Sequence, residues 1–273
     1  MPIRRARAAL LGAVISGLAV SALATPLTSL DDRSDILGWE AVGRLDIGAR
    51  GGYCSGSLIA PDLVLTAAHC LFDDDAGRRD PAEMTFQAGL RDGAAIATSR
   101  IARVVVPKGY DPALDFSAET IRYDAALLEL ETPIPATTAD PFPIARSGAP
   151  GQRVTVLSYG QGRSNAMSRE IGCTLDAAWT RLMAFDCTTH PGSSGAPLFD
   201  MSGRSARILS IVSGGGQHDG RSVTYGMEIA PLIAEMRRAL RTGEGVWPEA
   251  GPVTRRVIGA AERSSGQARF VRP

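Results

Sequence analysis

The middle of the chain is divided into many short apolar runs. From about Gly38 to Ile229, runs such as "SLIAPDLVLTAA", "QRVTVLSYG" and "ARILSIVSGG" are separated by Gly, Pro, Asp and Ser. Runs of this length and punctuation predict short antiparallel strands in a barrel or a sandwich. With 273 residues and 44% hydrophobic content, the chain has enough apolar surface for a full-sized core. The sequence therefore predicts an all-β protein.

The N-terminal residues have the pattern of an export signal. Residues 1–24 join a basic start to the apolar run Ala8–Ala24, which ends in the small-x-small pattern that signal peptidase accepts. An uncleaved membrane anchor is the alternative, but the run is short for a span and no basic cluster follows it. We expect residues 1–24 to be a signal peptide and residues 25–37 an N-terminal extension or short propeptide.

The C-terminal part predicts one helix and a tail. The segment Ala230–Arg241 has apolar residues at helical spacing, which is typical of an amphipathic helix packed on a core. After it the chain becomes rich in Gly, Pro and Arg. Such a composition predicts a flexible tail over residues 241–273.

Four cysteines fit an oxidising compartment. Three pairings are possible, and the one between neighbours, Cys54 with Cys70 and Cys173 with Cys187, closes two short loops. Each such disulfide would contribute about 3 kcal/mol on the chain-entropy model. A zinc site is the alternative, but the chain has no Cys-x-x-Cys pattern to support one.

Three separate stretches carry residues of chemical interest. "LTAAHC" ends an apolar strand pair on His69, whose neutral imidazole can accept a proton near neutral pH. In "YDAALLEL", Asp124 stands at the edge of an apolar run, where a carboxylate needs a partner. In "THPGSSGAPLF", Ser194 lies in a glycine-rich turn just before a strand. Each stretch alone is more often structural, but together they supply the Ser, His and Asp of acyl-transfer enzymes.

These motifs resemble those of the trypsin/chymotrypsin-fold serine peptidases, and within them the bacterial glutamyl-endopeptidase-like group. The resemblance covers about Gly38–Leu240, and "LTAAHC", "YDAALLEL" and "PGSSGAPLF" occur in the family's order. It implies two six-stranded antiparallel β-barrels with a C-terminal α-helix, one peptidase domain over residues 38–240. The first barrel would run to about Pro133 and the second would start at about Phe142. The 16-residue spacing of Cys54 and Cys70 matches the family's histidine-loop disulfide.

The resemblance also implies residue roles. Ser194 would be the nucleophile, His69 the general base and then the acid, and Asp124 the residue that orients His69. The backbone N–H groups of Gly192 and Ser194 would form the oxyanion hole. Ser193 stands where digestive relatives carry an Asp that pairs with a new N-terminus, so activation by that ion pair is not expected.

The substrate pocket departs from the pattern of the group. Glutamate-specific members carry a histidine in one wall, where this chain has Val212 and Ser213, and an aromatic residue common in that wall is replaced by glycine. No carboxylate is evident for binding Lys or Arg. The resemblance assigns substrate binding to two short segments of chain, with these members: Thr188, Thr189, His190, Ser213, Gly214 and Gly215.

The sequence thus predicts an exported serine endopeptidase, secreted or periplasmic in a bacterium, that acts on proteins or peptides through an acyl-enzyme intermediate. No cofactor or metal is expected, nor stable membrane association after signal cleavage, and the protein is expected to be a monomer. Zero net formal charge gives no sign of a nucleic-acid partner. A catalytically inactive trypsin-fold binding protein and an esterase-type hydrolase are the alternatives. Inactive relatives usually lack one of the three residues, and an esterase elbow would have the order Ser, Asp, His.

Overall fold

The computed structural model describes residues 27–48, 52–160 and 162–248. The expected signal peptide, residues 1–24, lies outside the described residues. The described residues form fourteen strands and two α-helices: β1 (Thr28–Ser29), β2 (Val42–Ile47), β3 (Tyr53–Ala60), β4 (Leu63–Thr66), β5 (Met84–Ala88), β6 (Ala97–Val105), α1 (Ala118–Ile121), β7 (Ala126–Leu130), β8 (Arg153–Ser158), β9 (Ser168–Trp179), β10 (Leu182–Phe185), β11 (Pro197–Asp200), β12 (Arg207–Ile211), β13 (Gly214–His218), β14 (Arg221–Met227) and α2 (Ile229–Thr242).

The first barrel is closed. Its strands follow the order β2-β3-β4-β7-β6-β5, and β5 pairs back onto β2. Alternate strand residues face the interior, where Leu45, Leu58 and Phe86 have no exposed surface. The predicted all-β fold with a six-stranded first barrel is therefore confirmed.

The second half differs from the predicted six-stranded barrel. Its strands form an open sheet in the order β12-β11-β8-β9-β10-β14-β13, and β1 pairs with β9 outside this path. The end strands β12 and β13 are joined by only Val212 and Ser213, so the sheet curls and brings β12 next to β14, while β13 remains an edge. Between β12 and β14 a side chain makes the hydrogen bonds that a strand ladder would otherwise make. Ser210 Oγ donates to Met227 O (2.8 Å) and accepts from Met227 N (2.9 Å). The second half is thus a half-barrel in which the Ser210 hydroxyl joins β12 to β14.

Aromatic rings fill the contact between the two halves. Phe142, on the connection between them, packs edge-on against Phe199 of β11 with ring centroids 4.6 Å apart. Trp39, just before β2, lies 5.1 Å from Phe199. This apolar contact holds both halves in one orientation and so positions the cleft between them.

Both ends of the described chain pack on the fold, and at the C-terminal end this differs from the expected flexible tail. At the N-terminal end β1 pairs with β9 and Leu30 is only 2% exposed, so the expected extension is packed into the fold from residue 27 onward. At the other end, Trp247 exchanges two backbone hydrogen bonds with Val104 (2.8 and 3.0 Å) and is 7% exposed. Residues 243–248, expected in the flexible tail, are therefore packed on the first barrel. In this segment the burial of Trp247 stabilises an ordered structure despite the glycine-rich composition.

The C-terminal helix α2 agrees with the amphipathic segment found in the sequence. It buries Ile229, Leu232, Ile233 and Met236 and ends at Gly243, whose left-handed backbone (φ 80°) forms the C-cap. None of the helices in the described ranges has the length and apolar character that a membrane span requires.

Candidate active site

His69 and Asp124 are brought together by two paired strands. His69 lies in a short 3-10 helix, Ala68–Leu71, directly after β4, and Asp124 lies two residues before β7. Because Thr66 of β4 pairs with Ala126 of β7, the two side chains meet at one end of the first barrel. The disulfide Cys54–Cys70 ties the residue after His69 to β3, with a Cα–Cα distance of 6.5 Å.

The Asp124 carboxylate is buried and fully occupied by donors. It is 3% exposed, and its Oδ1 accepts the backbone N–H of His69 (2.9 Å). Its Oδ2 lies 2.8 Å from His69 Nδ1 and accepts the hydroxyl of Ser213. With Nδ1 donating to Asp124, the other ring nitrogen of His69, Nε2, is left to accept a proton.

The two groups shift each other's proton affinity. Burial alone would raise the pKa of Asp124, but the His69 charge and the hydrogen bonds from His69 and Ser213 outweigh it and hold the pKa below its usual range. Burial alone would lower the pKa of His69, but the charge and hydrogen bond of Asp124 raise it above its usual range. The histidine is thus a stronger base than a free imidazole.

Ser194 lies in a turn that only glycines can flank. Gly192 (φ 89°) and Gly195 (φ 77°) both have left-handed backbones. A Cβ on Gly195 would collide with Thr66 Oγ1 and lie 2.9 Å from Ala67 N, so this turn packs against the strand end that leads to His69. The Ser194 carbonyl accepts from Ser55 N (2.8 Å) of β3. The turn is therefore bound to the same barrel that carries His69 and Asp124.

Two amides of this turn have no acceptor among the described residues. Ser193 N binds His190 O (2.9 Å), Gly195 N binds Val212 O (2.7 Å) and Ala196 N binds Ser193 O (2.9 Å). Within the described part of the chain, the N–H groups of Gly192 and Ser194 have no acceptor, and the Ser194 hydroxyl makes no hydrogen bond. A pair of unoccupied amides beside a hydroxyl is an arrangement that can bind an oxyanion.

Ser193 completes the turn without a charge. Ser193 is 2% exposed, and its Oγ accepts a hydrogen bond from His190 N (3.4 Å). Together with the bond from Ser193 N to His190 O, this closes a local loop through neutral groups. The Ser193 hydroxyl thus contributes a neutral hydrogen bond to this turn.

Comparison with known proteins identifies the family. A model of the trypsin-like peptidase domain matches residues 54–205, more than half of the chain. The chain belongs to the trypsin-like peptidase family. A glutamyl endopeptidase of Bacillus licheniformis is 25% identical over 154 residues, which cover 55% of this chain and 46% of that protein. The chain thus spans about half the length of the curated relative it matches.

Solved structures of similar fold agree with this assignment. The structure of a Glu endopeptidase in complex with MPD has a TM-score of 0.65 at 19% identity and covers 78% of this chain and 95% of that one. A thermostable serine protease from an extremophilic microorganism has a TM-score of 0.60 at 21% identity, covering 74% and 98%. At these identities the structures establish the shared two-barrel fold.

The residues expected to bind substrate form two facing segments of this trypsin-like domain. Thr188, Thr189 and His190 follow β10, and Gly214 and Gly215 begin β13. The Ser213 hydroxyl is buried and donates to Asp124, and Ser213 lines the same cavity as His69, Gly214 and Gly215. The second disulfide, Cys173–Cys187, joins β9 to the first of these segments.

Sequence reasoning missed Glu170. This carboxylate of β9 is 3% exposed and accepts both Thr188 N (2.9 Å) and Thr188 Oγ1 (3.3 Å), and burial raises its pKa. Only the tertiary fold brings the two residues together, 18 positions apart in the chain. Its hydrogen bonds fix the position of the segment that carries Thr188, Thr189 and His190, the residues expected to bind substrate.

Phe116 was missed as well. Its ring is 55% exposed and lies 2.9 Å from where a Cβ on Gly214 would stand, so a loop of the first barrel supplies the aromatic ring that the β13 wall lacks. Together with other apolar groups it lines a cavity of about 400 Å³ beside His69. The apolar members of the lining are Tyr110, Pro112, Leu114, Phe116 and Ile121.

A metal site is not supported by the side chains near His69. Among the described residues, the one group with metal-ligand spacing is Cys54, His69 and Cys70. The two sulfurs are joined in a disulfide, so they cannot act as thiolate ligands.

Proposed function

We propose that this protein is a serine endopeptidase. The observation that carries the proposal is the contact between buried Asp124 and His69 (2.8 Å) beside a glycine turn that presents the Ser194 hydroxyl and two amides with no acceptor among the described residues. These are the parts that acyl transfer needs: a nucleophile, a base, an orienting carboxylate and donors for the oxyanion.

In the proposed reaction, His69 Nε2 takes the proton of the Ser194 hydroxyl while Oγ attacks the peptide carbonyl carbon. The amides of Gly192 and Ser194 bind the resulting oxyanion, and Asp124 stabilises the imidazolium. The imidazolium then donates its proton to the leaving nitrogen as the C–N bond breaks. Water, deprotonated by His69, hydrolyses the acyl-enzyme and restores the Ser194 hydroxyl.

The substrates of this proposed enzyme are proteins or peptides. Extended chain fits the cleft between the two barrel halves, where β13 presents an edge of the open sheet. The two disulfides agree with an oxidising location, which supports export to the periplasm or the medium.

Active-site labelling tests the proposal. A fluorophosphonate probe should label the mature chain at Ser194, and the Ser194→Ala variant should lose labelling and peptide hydrolysis together. Ser205→Ala, a change at an exposed serine, is the matched control and should keep both. A chain that is folded but neither labels nor hydrolyses would instead be an inactive binding protein, and one that cleaves esters but no peptide would be an esterase.

A further inference from the structure

The two segments expected to form the primary substrate pocket touch each other. Thr189 stands on one segment and Gly215 on the other. A Cβ placed on Gly215 would lie 3.6 Å from Thr189 Cβ and 3.9 Å from Thr189 Cγ2. These are ordinary van der Waals distances, so the Thr189 side chain fills the space in front of Gly215.

The gap is too narrow for a large side chain. A C–C bond is about 1.5 Å long, so Gly215 Cα can lie at most about 5 Å from Thr189 Cβ. A methylene in contact with both walls needs about 7–8 Å between them, which is two carbon–carbon contacts of about 3.5–4.0 Å each. A side chain longer than one or two heavy atoms therefore cannot pass between Thr189 and Gly215.

Buried hydrogen bonds keep Thr189 in this position. Thr189 Oγ1 is bonded to Thr224 Oγ1, and Thr224 Oγ1 donates to Cys187 O (2.7 Å). Thr224 has no exposed surface and pairs with Gly215 in the β13–β14 ladder. Thr189 is thus linked through Thr224 to the strand that carries the opposite wall, and rotating its side chain away would break this buried chain of bonds.

We propose that Thr189 restricts the primary pocket to small side chains, so that the enzyme cleaves after glycine, alanine or serine. This inference rests on the proposed peptidase function. It excludes glutamate, arginine and large apolar residues as the preferred residue before the cleaved bond. The space for a bulky side chain lies elsewhere, in the apolar cavity of about 400 Å³ between His69 and Phe116, which suits a residue farther towards the substrate's N-terminus.

The experiment compares peptide substrates that differ only in the residue before the cleaved bond. The full mature enzyme is first titrated with the fluorophosphonate, so that rates refer to active molecules. Values of kcat/KM are then measured for Gly, Ala, Ser, Leu, Phe, Arg and Glu at that position. We expect the small residues to exceed the large ones at least 10-fold, since even one methylene changes a tight pocket's selectivity by about 10-fold or more.

Two variants change the width of the gap between Thr189 and Gly215 in opposite directions. Thr189→Gly removes the obstructing side chain and should raise the ratio of Leu to Ala cleavage at least 10-fold. Gly215→Ala adds a methyl at ordinary contact distance from Thr189, so it should fold normally and lower Ala relative to Gly cleavage. Thr138→Ser, on an exposed loop, loses a methyl outside the pocket and should leave the profile unchanged.

These measurements distinguish a failure of the Thr189 proposal from a failure of the peptidase proposal. A labelled wild-type enzyme that prefers Phe, Arg or Glu would overturn the role of Thr189 and leave the peptidase proposal intact. Variant profiles identical to the wild type would also overturn it. A chain that neither labels nor cleaves any peptide would overturn both proposals.

Discussion

Replacing Ser55 by alanine tests how the two halves of the molecule hold the turn from Gly192 to Gly195. This turn carries the proposed nucleophile Ser194 and is called the nucleophile turn below. Ser55 lies on β3 with no exposed surface, and its hydroxyl donates to Gly192 O (2.9 Å) and accepts from Tyr159 N (2.9 Å). Its side chain thus joins the first barrel to the nucleophile turn and to the end of β8. Ser55→Ala removes both bonds and leaves a buried N–H and a partly buried C=O without partners.

The expected cost follows from these two groups. A buried polar group that loses its partner costs about 1–3 kcal/mol, and the half-buried Gly192 carbonyl belongs at the lower end. The free energy of unfolding should therefore fall by about 2–4 kcal/mol, which lowers Tm by about 5–15 °C for a domain of this size. Because Gly192 O belongs to the peptide beside the proposed oxyanion amides, kcat should fall more than KM rises.

The chain provides a matched control on the same strand. Ser57 is also fully buried, but its hydroxyl has no hydrogen-bond partner among the described residues. Ser57→Ala removes an unsatisfied group and should change stability by less than about 1 kcal/mol, or increase it. Denaturant unfolding with the disulfides intact and peptide hydrolysis measure both variants. Equal destabilisation of the two, or an unchanged kcat in Ser55→Ala, would refute the reasoning.

Further predictions concern the reaction and the N-terminal segment. Ser194→Ala or His69→Ala should lower kcat by about 10⁶-fold and Asp124→Ala by somewhat less, with the fold kept by circular dichroism. Because Asp124 raises the pKa of His69 and the base must be neutral, kcat/KM should rise with pH through a midpoint above 6.5, and Asp124→Asn should move that midpoint to lower pH. Chains that start at Thr25 or at Thr28 should turn over equally, since Ser193 forms its turn through neutral bonds; loss of activity on acetylating one particular N-terminus would contradict this.

Sequence patterns predicted the secondary-structure elements that are determined by residues close together in the chain. The strands follow from the short apolar runs and α2 follows from its helical spacing, because both patterns are set by neighbouring residues, whereas the six-stranded first barrel was implied by the resemblance of the motifs. The closure of the second half could not be predicted, since it depends on Ser210 binding the backbone of Met227 across 17 residues. The order of residues 243–248 was missed for a similar reason, because Trp247 gains its partners from a distant strand.

The candidate active site shows the same distinction between patterns of neighbouring residues and contacts between distant residues. His69, Asp124 and Ser194 each stand in a short motif, so their chemistry is visible from the residues beside them. Phe116 and Glu170 carry no such signal, because what gives each a role is a contact made by the fold. The contact between Thr189 and Gly215 is also tertiary, and specificity is therefore the property that the sequence motifs reveal least.

The position of Ser55 also explains why the proposed reaction needs both halves of the molecule. The proposed base His69 and its partner Asp124 belong to the first barrel, whereas the turn that carries the proposed nucleophile leads into β11 of the second half. Ser55 N and Ser55 Oγ bind this turn at Ser194 O and Gly192 O, and the backbone carbonyl of Ser55 accepts from Thr66 Oγ1 (2.7 Å), three residues before His69. One buried residue of the first barrel therefore contacts the turn on both sides of Ser193 and the strand that leads to the base. Small rotations between the two halves would strain these bonds before they could separate Ser194 from His69, which is how a site divided between two sheets keeps one geometry.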